Sequence, residues 1–144
     1  MTAQPKRILV PIDGSANALR ALDLAIAMVR ATADGRVELV NAQAPLGQAV
    51  TMFVAKSDIK GHHRDEGMKA LAAAIEAAKA SGVPHAHHIG VGQPGEVIAA
   101  FCKDLGCDHI VMGTRGLGAA LGLLLGSVAT DVINRATVPI TLVK

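Results

Sequence analysis

The sequence predicts an α/β fold: a single doubly wound sheet of five parallel strands with helices on both faces. Three observations carry this reading. Short apolar runs alternate with segments of helical periodicity along the whole chain, the runs are mostly apolar rather than strictly alternating, and Gly, Pro and Asp mark the changes of period. Strands buried on both faces belong to a parallel sheet, because right-handed crossovers lay each helix against it. The 144 residues suit one domain, 1–144, since a core of this size buries most of its apolar surface.

The first strand is Lys6 to Ile12, ending at Asp13-Gly14-Ser15. Leu19, Leu22, Ile26 and Val29 then recur at helical spacing up to a break at Ala33-Asp34-Gly35. Arg36 to Gln43 is apolar and too short for a helix, hence the second strand, and Ala44 to about Gly61 reads as loop. Met68, Leu71, Ile75 and Ala78 mark one face of the next helix, which Gly82 stops. Pro84 to Val91 is the third strand. A turn at Gln93-Pro94-Gly95 leads into a short helix carrying Val97, Ile98, Phe101 and Leu105. Cys107 to Gly113 is the fourth strand, and Gly126-Ser127 opens a helix with Val128, Val132 and Ile133. Val138 to Val143 closes the chain as a fifth strand, whose Pro139 suits a sheet edge better than a centre.

Hydrophobic residues make up 51% of the chain and charged residues 18%, and the only aromatics are Phe53 and Phe101. The core must therefore be built from Ala, Val, Leu, Ile and Met, in a globular composition. The net charge of +2 comes from scattered Lys and Arg, without a basic stripe or stacking platforms, so no nucleic-acid partner is expected. No segment approaches the roughly 20 apolar residues of a bilayer span, so no membrane partner is expected either. The polar start, Met1 to Arg7, has no apolar stretch behind a basic cluster, which leads us to expect a soluble, unexported, cytoplasmic protein.

Cys102 and Cys107 are too few for a disulfide framework and lack the spacing of a zinc site, so they read as reduced thiols near the core. His62 and His63 stand in a polar stretch. His85, His87 and His88 lie on the third strand, where the first two share a face and His88 points away. With no carboxylate or cysteine beside them, solvated surface histidines are expected, and no metal site. The apolar run Val50 to Ala55 interrupts the expected loop, and two readings of it stay open: a flap or partner surface, or an extra helical turn packed on the domain.

In doubly wound sheets ligands bind beyond the carboxyl ends of the strands, where the winding reverses, so the residues after strands one and four should carry function. After strand four the chain reads GTRGLGAALGLLLGS from Gly113 to Ser127, a G-x-x-G-x9-G-S spacing. Glycines let a backbone approach a ligand or adopt positive φ, and the amides and dipole of a helix starting at Gly126-Ser127 suit phosphate oxygens. No G-K-[ST] follows the glycines and no lysine lies between Lys103 and Lys144, so this is not a P-loop. Gly116-Leu117-Gly118 is no dinucleotide fingerprint, because that motif follows the first strand and needs an acidic residue about 20 positions on. Glycines alone would equally suit a flexible loop followed by an ordinary helix cap.

The glycine motif, the turn Pro11-Ile12-Asp13-Gly14-Ser15, the junction Val111-Met112-Gly113-Thr114-Arg115-Gly116 and the ending Ala136-Thr137-Val138-Pro139-Ile140 together resemble the universal stress protein family, nearly end to end. The complete motif resembles that of the members that bind ATP. The resemblance implies strand order 3-2-1-4-5 and phosphates held against Gly113, Gly116, Gly126 and Ser127. It implies ribose or phosphate-bound Mg2+ near Asp13, and an adenosine cleft lined by Pro11, Ile12 and Met112, with Val128 as a further cofactor-binding residue. Main-chain groups for the adenine edge would come from Ala42, whose small side chain leaves the pocket roomy. Relatives often carry a basic residue where this chain has Gly122, which leaves Arg115 as the main cation for phosphates and puts ADP and AMP beside ATP as ligands. Asp13 has a second reading as turn chemistry, with Ser15 capping the next helix.

The expected function is therefore that of a nucleotide-responsive stress protein rather than an enzyme. The loop from Gly113 to Ser127 contains no Asp, Glu or His to activate water, and the nearest base is Asp13, so catalytic residues are not assigned. A slow Mg2+-dependent ATPase or phosphotransferase and a structural dimer without nucleotide remain the alternatives. A strand Val138 to Val143 at the sheet edge leaves backbone groups for a second chain, and the resemblance implies a homodimer through it. Thr141→Pro is the change expected to remove a donor from that edge.

Overall fold

The computed structural model describes residues 4–116 and 124–144. Its elements are β1 (Arg7–Pro11), α1 (Ala16–Arg30), β2 (Arg36–Gln43), α2 (Gln48–Thr51), α3 (Lys56–Ser81), β3 (His85–Val91), α4 (Pro94–Asp104), β4 (His109–Gly113), α5 (Ser127–Arg135) and β5 (Ile140–Val143). The strands form one parallel sheet in the order β3-β2-β1-β4-β5. The chain winds from β1 towards β2 and β3, then returns to place β4 on the other side of β1. The reversal falls between β1 and β4.

Alternate strand residues feed two cores. Ile8, Val10, Val37, Leu39 and Val111 face α1 and α3, while Leu9, Val40, Ile110 and Met112 face α4 and α5. A fully buried aliphatic side chain such as Ile8 or Leu22 contributes about 2 kcal/mol. The α1 helix starts because Ser15 Oγ accepts the amide of Ala18 at 3.1 Å. Its buried stripe runs Ala18, Ala21, Leu22, Ala25, Ile26, Val29.

The stretch expected as loop up to about Gly61 is instead helical from Lys56, and α2 precedes it as a single turn. The buried stripe of α3 passes through His63 and Gly67 before it reaches Leu71, Ala74, Ile75 and Ala78. A histidine and a glycine in core positions hid the helical period. Gly67 is there because a Cβ would come within 2.6 Å of Ile89 Cδ1. Met68, placed on the inner face by the sequence reading, is exposed. Gly82 ends α3 in the left-handed conformation at φ 75°.

Two histidines also depart from the expected solvated surface. His63 is buried, and His88 Nε2 lies 2.8 Å from Oε2 of Glu38, a buried carboxylate supplied by the adjacent strand β2. Arg36 Nε donates to the other oxygen of Glu38 at 2.7 Å. The carboxylate that the local sequence lacks thus comes from about 50 residues away. Among the described residues no cluster of three or more His, Cys, Asp and Glu could hold a metal ion, and no helix is long and apolar enough to cross a membrane.

At the β5 edge, Ile110 N donates to Pro139 O at 3.0 Å and Thr114 N to Val143 O at 2.9 Å. Backbone groups alternate sides along a strand, so Thr141, two residues from each, directs its amide towards β4. Thr141→Pro would therefore damage the sheet itself. The residues whose amides face the open edge are Ile140 and Leu142.

Candidate functional site

At the reversal of winding, the ends of β1, β2 and β4 and the start of α5 enclose a cavity of about 350 Å3, within the usual range of small-molecule sites. Each wall follows from a local feature of the chain. After β1, Ile12 N reaches Val40 O at 2.8 Å, and the chain then turns through Asp13 and Gly14. Asp13 Oδ1 accepts the amide of Ser15 at 2.9 Å, and Gly14 takes φ 90°, a conformation that favours glycine. Asp13 thus has the turn role of its second reading, and it also lines the cavity.

The β2 wall presents main chain. Val40 O bonds to the β1 side, and backbone groups alternate, so Ala42, two residues on, also directs its N–H and C=O to that side. The last residue of β1 paired with β2 is Pro11, opposite Val40. The peptide groups of Ala42 therefore face the space beyond the end of β1. Asn41 is buried beside them, donating from Nδ2 to Ile12 O at 2.8 Å and accepting from Gln43 Nε2 at 2.7 Å. This amide network fixes the β2 end against the β1 turn.

From β4 the chain runs through Met112 and Gly113 to Thr114, whose carbonyl accepts the amide of Gly126 at 2.7 Å. That bond brings the two ends of the glycine motif together and sets the start of α5. The first intrahelical bond of α5 is Thr130 N to Gly126 O at 3.1 Å. The amides of Ser127, Val128 and Ala129 precede it, at the positive end of the helix dipole and along the cavity wall.

Gly113 and Gly116 are required here by space rather than by φ, while a Cβ on Gly126 would meet only ordinary contacts. Among the described residues positive φ belongs to Gly14, Gly82, Gly92 and Gly106, not to Gly113, Gly116 or Gly126. A Cβ on Gly113 would collide with the side-chain amide of Asn17, and one on Gly116 with the carboxylate of Asp13. Asn17 itself spans three segments: Nδ2 donates to Val143 O at 2.8 Å, and Oδ1 accepts the amide of Arg115 at 3.0 Å.

The structure places all eleven residues singled out from the sequence on this one cavity: Pro11, Ile12 and Asp13 from β1, Ala42 from β2, Met112, Gly113, Arg115 and Gly116 from β4 onward, and Gly126, Ser127 and Val128 from α5. Gly122 and Gly118 lie outside the described residues. Sequence reasoning missed Asn17, Asn41 and Thr114. Asn41 carried a signal, a buried amide inside a largely apolar strand that needs partners, whereas nothing local marks Asn17. None of the residues 48–55 lines this cavity. Val50, Met52 and Phe53 are exposed, so the α2 turn does not pack as an extra core element.

The family model described as "Universal stress protein family" matches residues 5–144. A universal stress protein of Thermus aquaticus is 36% identical over 142 residues, covering 96% of this chain and 98% of its own length. The solved structure of MJ0577 from Methanocaldococcus jannaschii superposes with a TM-score of 0.85 at 29% identity, covering 99% of this chain and 97% of that one. The universal stress protein of Archaeoglobus fulgidus in complex with dAMP gives a TM-score of 0.72 at 26% identity, covering 99% and 100%. A universal stress protein in complex with cAMP gives 0.74 at 26% identity, covering 99% of each chain.

Proposed function

Because the chain belongs to the universal stress protein family, we propose that it binds an adenine nucleotide in the cavity at the carboxyl ends of β1 and β4 and answers that ligand by a change of surface that a partner reads. The observation that carries the proposal is the convergence of main-chain donors on one cavity: the start of α5 and the Gly113–Gly116 turn on one side, the peptide groups of Ala42 on the other. The first set suits phosphate oxygens, and the second suits the edge of a purine. That relatives were solved with dAMP and cAMP supports adenine as the base.

In this reading Gly113, Gly116, Gly126 and Ser127 hold the phosphates, with Arg115 at the mouth as the cation. Pro11, Ile12, Met112 and Val128 flank the adenosine, and Asp13 serves the ribose or a Mg2+ ion carried in on the phosphates. The residues fit Mg2+ in that second form, since the ion commonly takes one or two carboxylates and completes its shell with phosphate and water, and Asp13 supplies one carboxylate. Among the described residues the phosphate-side walls include no second base, which supports a reading of binding over turnover. We further place the protein in the cytoplasm as a homodimer joined through the β5 edge.

Thermal unfolding in the presence of AMP, ADP and ATP, with and without Mg2+, tests the proposal. Stabilisation that grows with nucleotide concentration is expected from ligand linkage. An unchanged Tm at millimolar nucleotide, together with no co-purifying nucleotide in native mass spectrometry, would refute it. Steady phosphate release, abolished by Asp13→Ala with binding retained, would shift the reading to a slow hydrolase.

A further inference from the structure

A second cavity, of about 560 Å3, lies between the first half of α3, β3 and the connection leaving β2, and it shares no lining residue with the first. Its α3 wall is Lys56, Ile59, Lys60, His63 and Arg64. Those positions are spaced i, i+3, i+4, i+7 and i+8, so they form one face of the helix. Leu46, Ile89 and Val91 supply the opposing apolar wall.

His63 is 6% exposed, and its Nδ1 is buried with no hydrogen-bond partner. An unsatisfied buried nitrogen is costly, and a native fold rarely leaves one. His63 is itself a lining residue of this cavity, so a polar atom bound there would lie beside its ring. Charge narrows the choice of atom. Among the described residues the lining holds Lys56, Lys60 and Arg64 and no carboxylate. Helix α3 also begins at this end with no side-chain cap, adding the positive end of its dipole. Beyond Thr51 on the rim, Met52 and Phe53 are 72% and 86% exposed, so apolar surface continues along the chain from the mouth.

We propose that this cavity is a second ligand site, for a small amphiphilic carboxylate. An apolar body of medium-chain size lies against Leu46, Ile59, Ile89 and Val91. The carboxylate accepts from His63 Nδ1–H once the imidazole turns toward the cavity, with Lys60 and Arg64 closing over it from the exposed side. A single negative charge fits better than a phosphate dianion, whose desolvation against an apolar wall costs more.

Isothermal titration of the whole chain with octanoate, kept below its micelle threshold, and with octanol as the uncharged control tests the site. Octanoate is expected to saturate at one equivalent, to bind about tenfold more tightly than octanol, and to be undisturbed by saturating AMP. The double change Lys60→Ala/Arg64→Ala, confined to exposed side chains, is expected to weaken octanoate about tenfold and leave octanol unchanged. His63→Leu is expected to erase the preference for the acid; if that variant does not fold, the exposed pair decides. The proposal is overturned by no saturable heat with octanoate, by equal affinity for octanol, by tighter binding of octyl phosphate, by displacement with AMP, or by an exposed-pair variant that binds octanoate as well as the parent.

Discussion

Single atoms govern the proposed nucleotide cavity, and Gly116 shows how. Its missing Cβ is the space that the Asp13 carboxylate occupies, while the other oxygen of Asp13 holds the Ser15 amide. Gly116→Val should displace that carboxylate and narrow the turn, lowering AMP affinity about tenfold or more, equivalent to about 1.4 kcal/mol. Titration calorimetry on the variant checks this, and wild-type affinity would separate Gly116 from the ligand. The thiols offer a second residue-scale test. Burial pushes Cys107 up to about 12, helped by Cys102, Glu38 and Asp108 and opposed by Arg7, and burial raises Cys102 as well. Thiolate is the reactive form, so both should resist a disulfide reagent at pH 8 in the native protein and react together once it unfolds. Fast native labelling of either would contradict their placement. The sequence reading of two reduced, core-side thiols agrees with their burial.

Pairing between elements decides how the fold responds to pH. His109, on β4, has its Nε2 2.8 Å from Thr141 Oγ1 on β5. Burial lowers its pKa from the ordinary 6.5, with Asp108 opposing the shift. The folded protein thus favours neutral His109 and binds fewer protons there than the unfolded chain. The stability tied to this group is complete above about pH 6.5 and falls away as pH drops below it. Urea unfolding of the parent and His109→Gln at a series of pH values should show a shallower acid loss in the variant; parallel curves would remove His109 from the account. Elements also mark where legibility failed. Helix α1 was readable because its apolar stripe is continuous from Ala18 to Val29, with Ser15 as its cap. The first half of α3 was not, because its inner positions are His63 and Gly67, the latter required by the close approach of Ile89 on β3.

For the whole molecule, the open edge of β5 carries the proposed homodimer, and the strand's own alternation selects the residue that tests it. Leu142 directs its amide outward, whereas Thr141 faces β4. Leu142→Pro should therefore weaken a dimer paired through this edge, with Leu142→Ala as the control for lost packing. Sedimentation is expected to show the proline variant as monomer and the alanine variant as dimer at the same concentration. An unchanged distribution for the proline variant would move the interface elsewhere.

From the chain alone came the alternation of strand and helix, the parallel sheet and the motif glycines, because each is written in local period or in a contiguous motif, while the resemblance to the family supplied the other residues of the eleven that line one cavity, Ala42 among them. Tertiary structure decided what brings distant positions together: Asn17 joined to Val143 and Arg115, Glu38 joined to His88, Asn41 joined to Ile12, and the second cavity around His63. Those partners stand about 30 to 130 residues apart or meet only across packed elements. Local sequence records how a residue sits on its own helix or strand, whereas the crossovers determine what it faces.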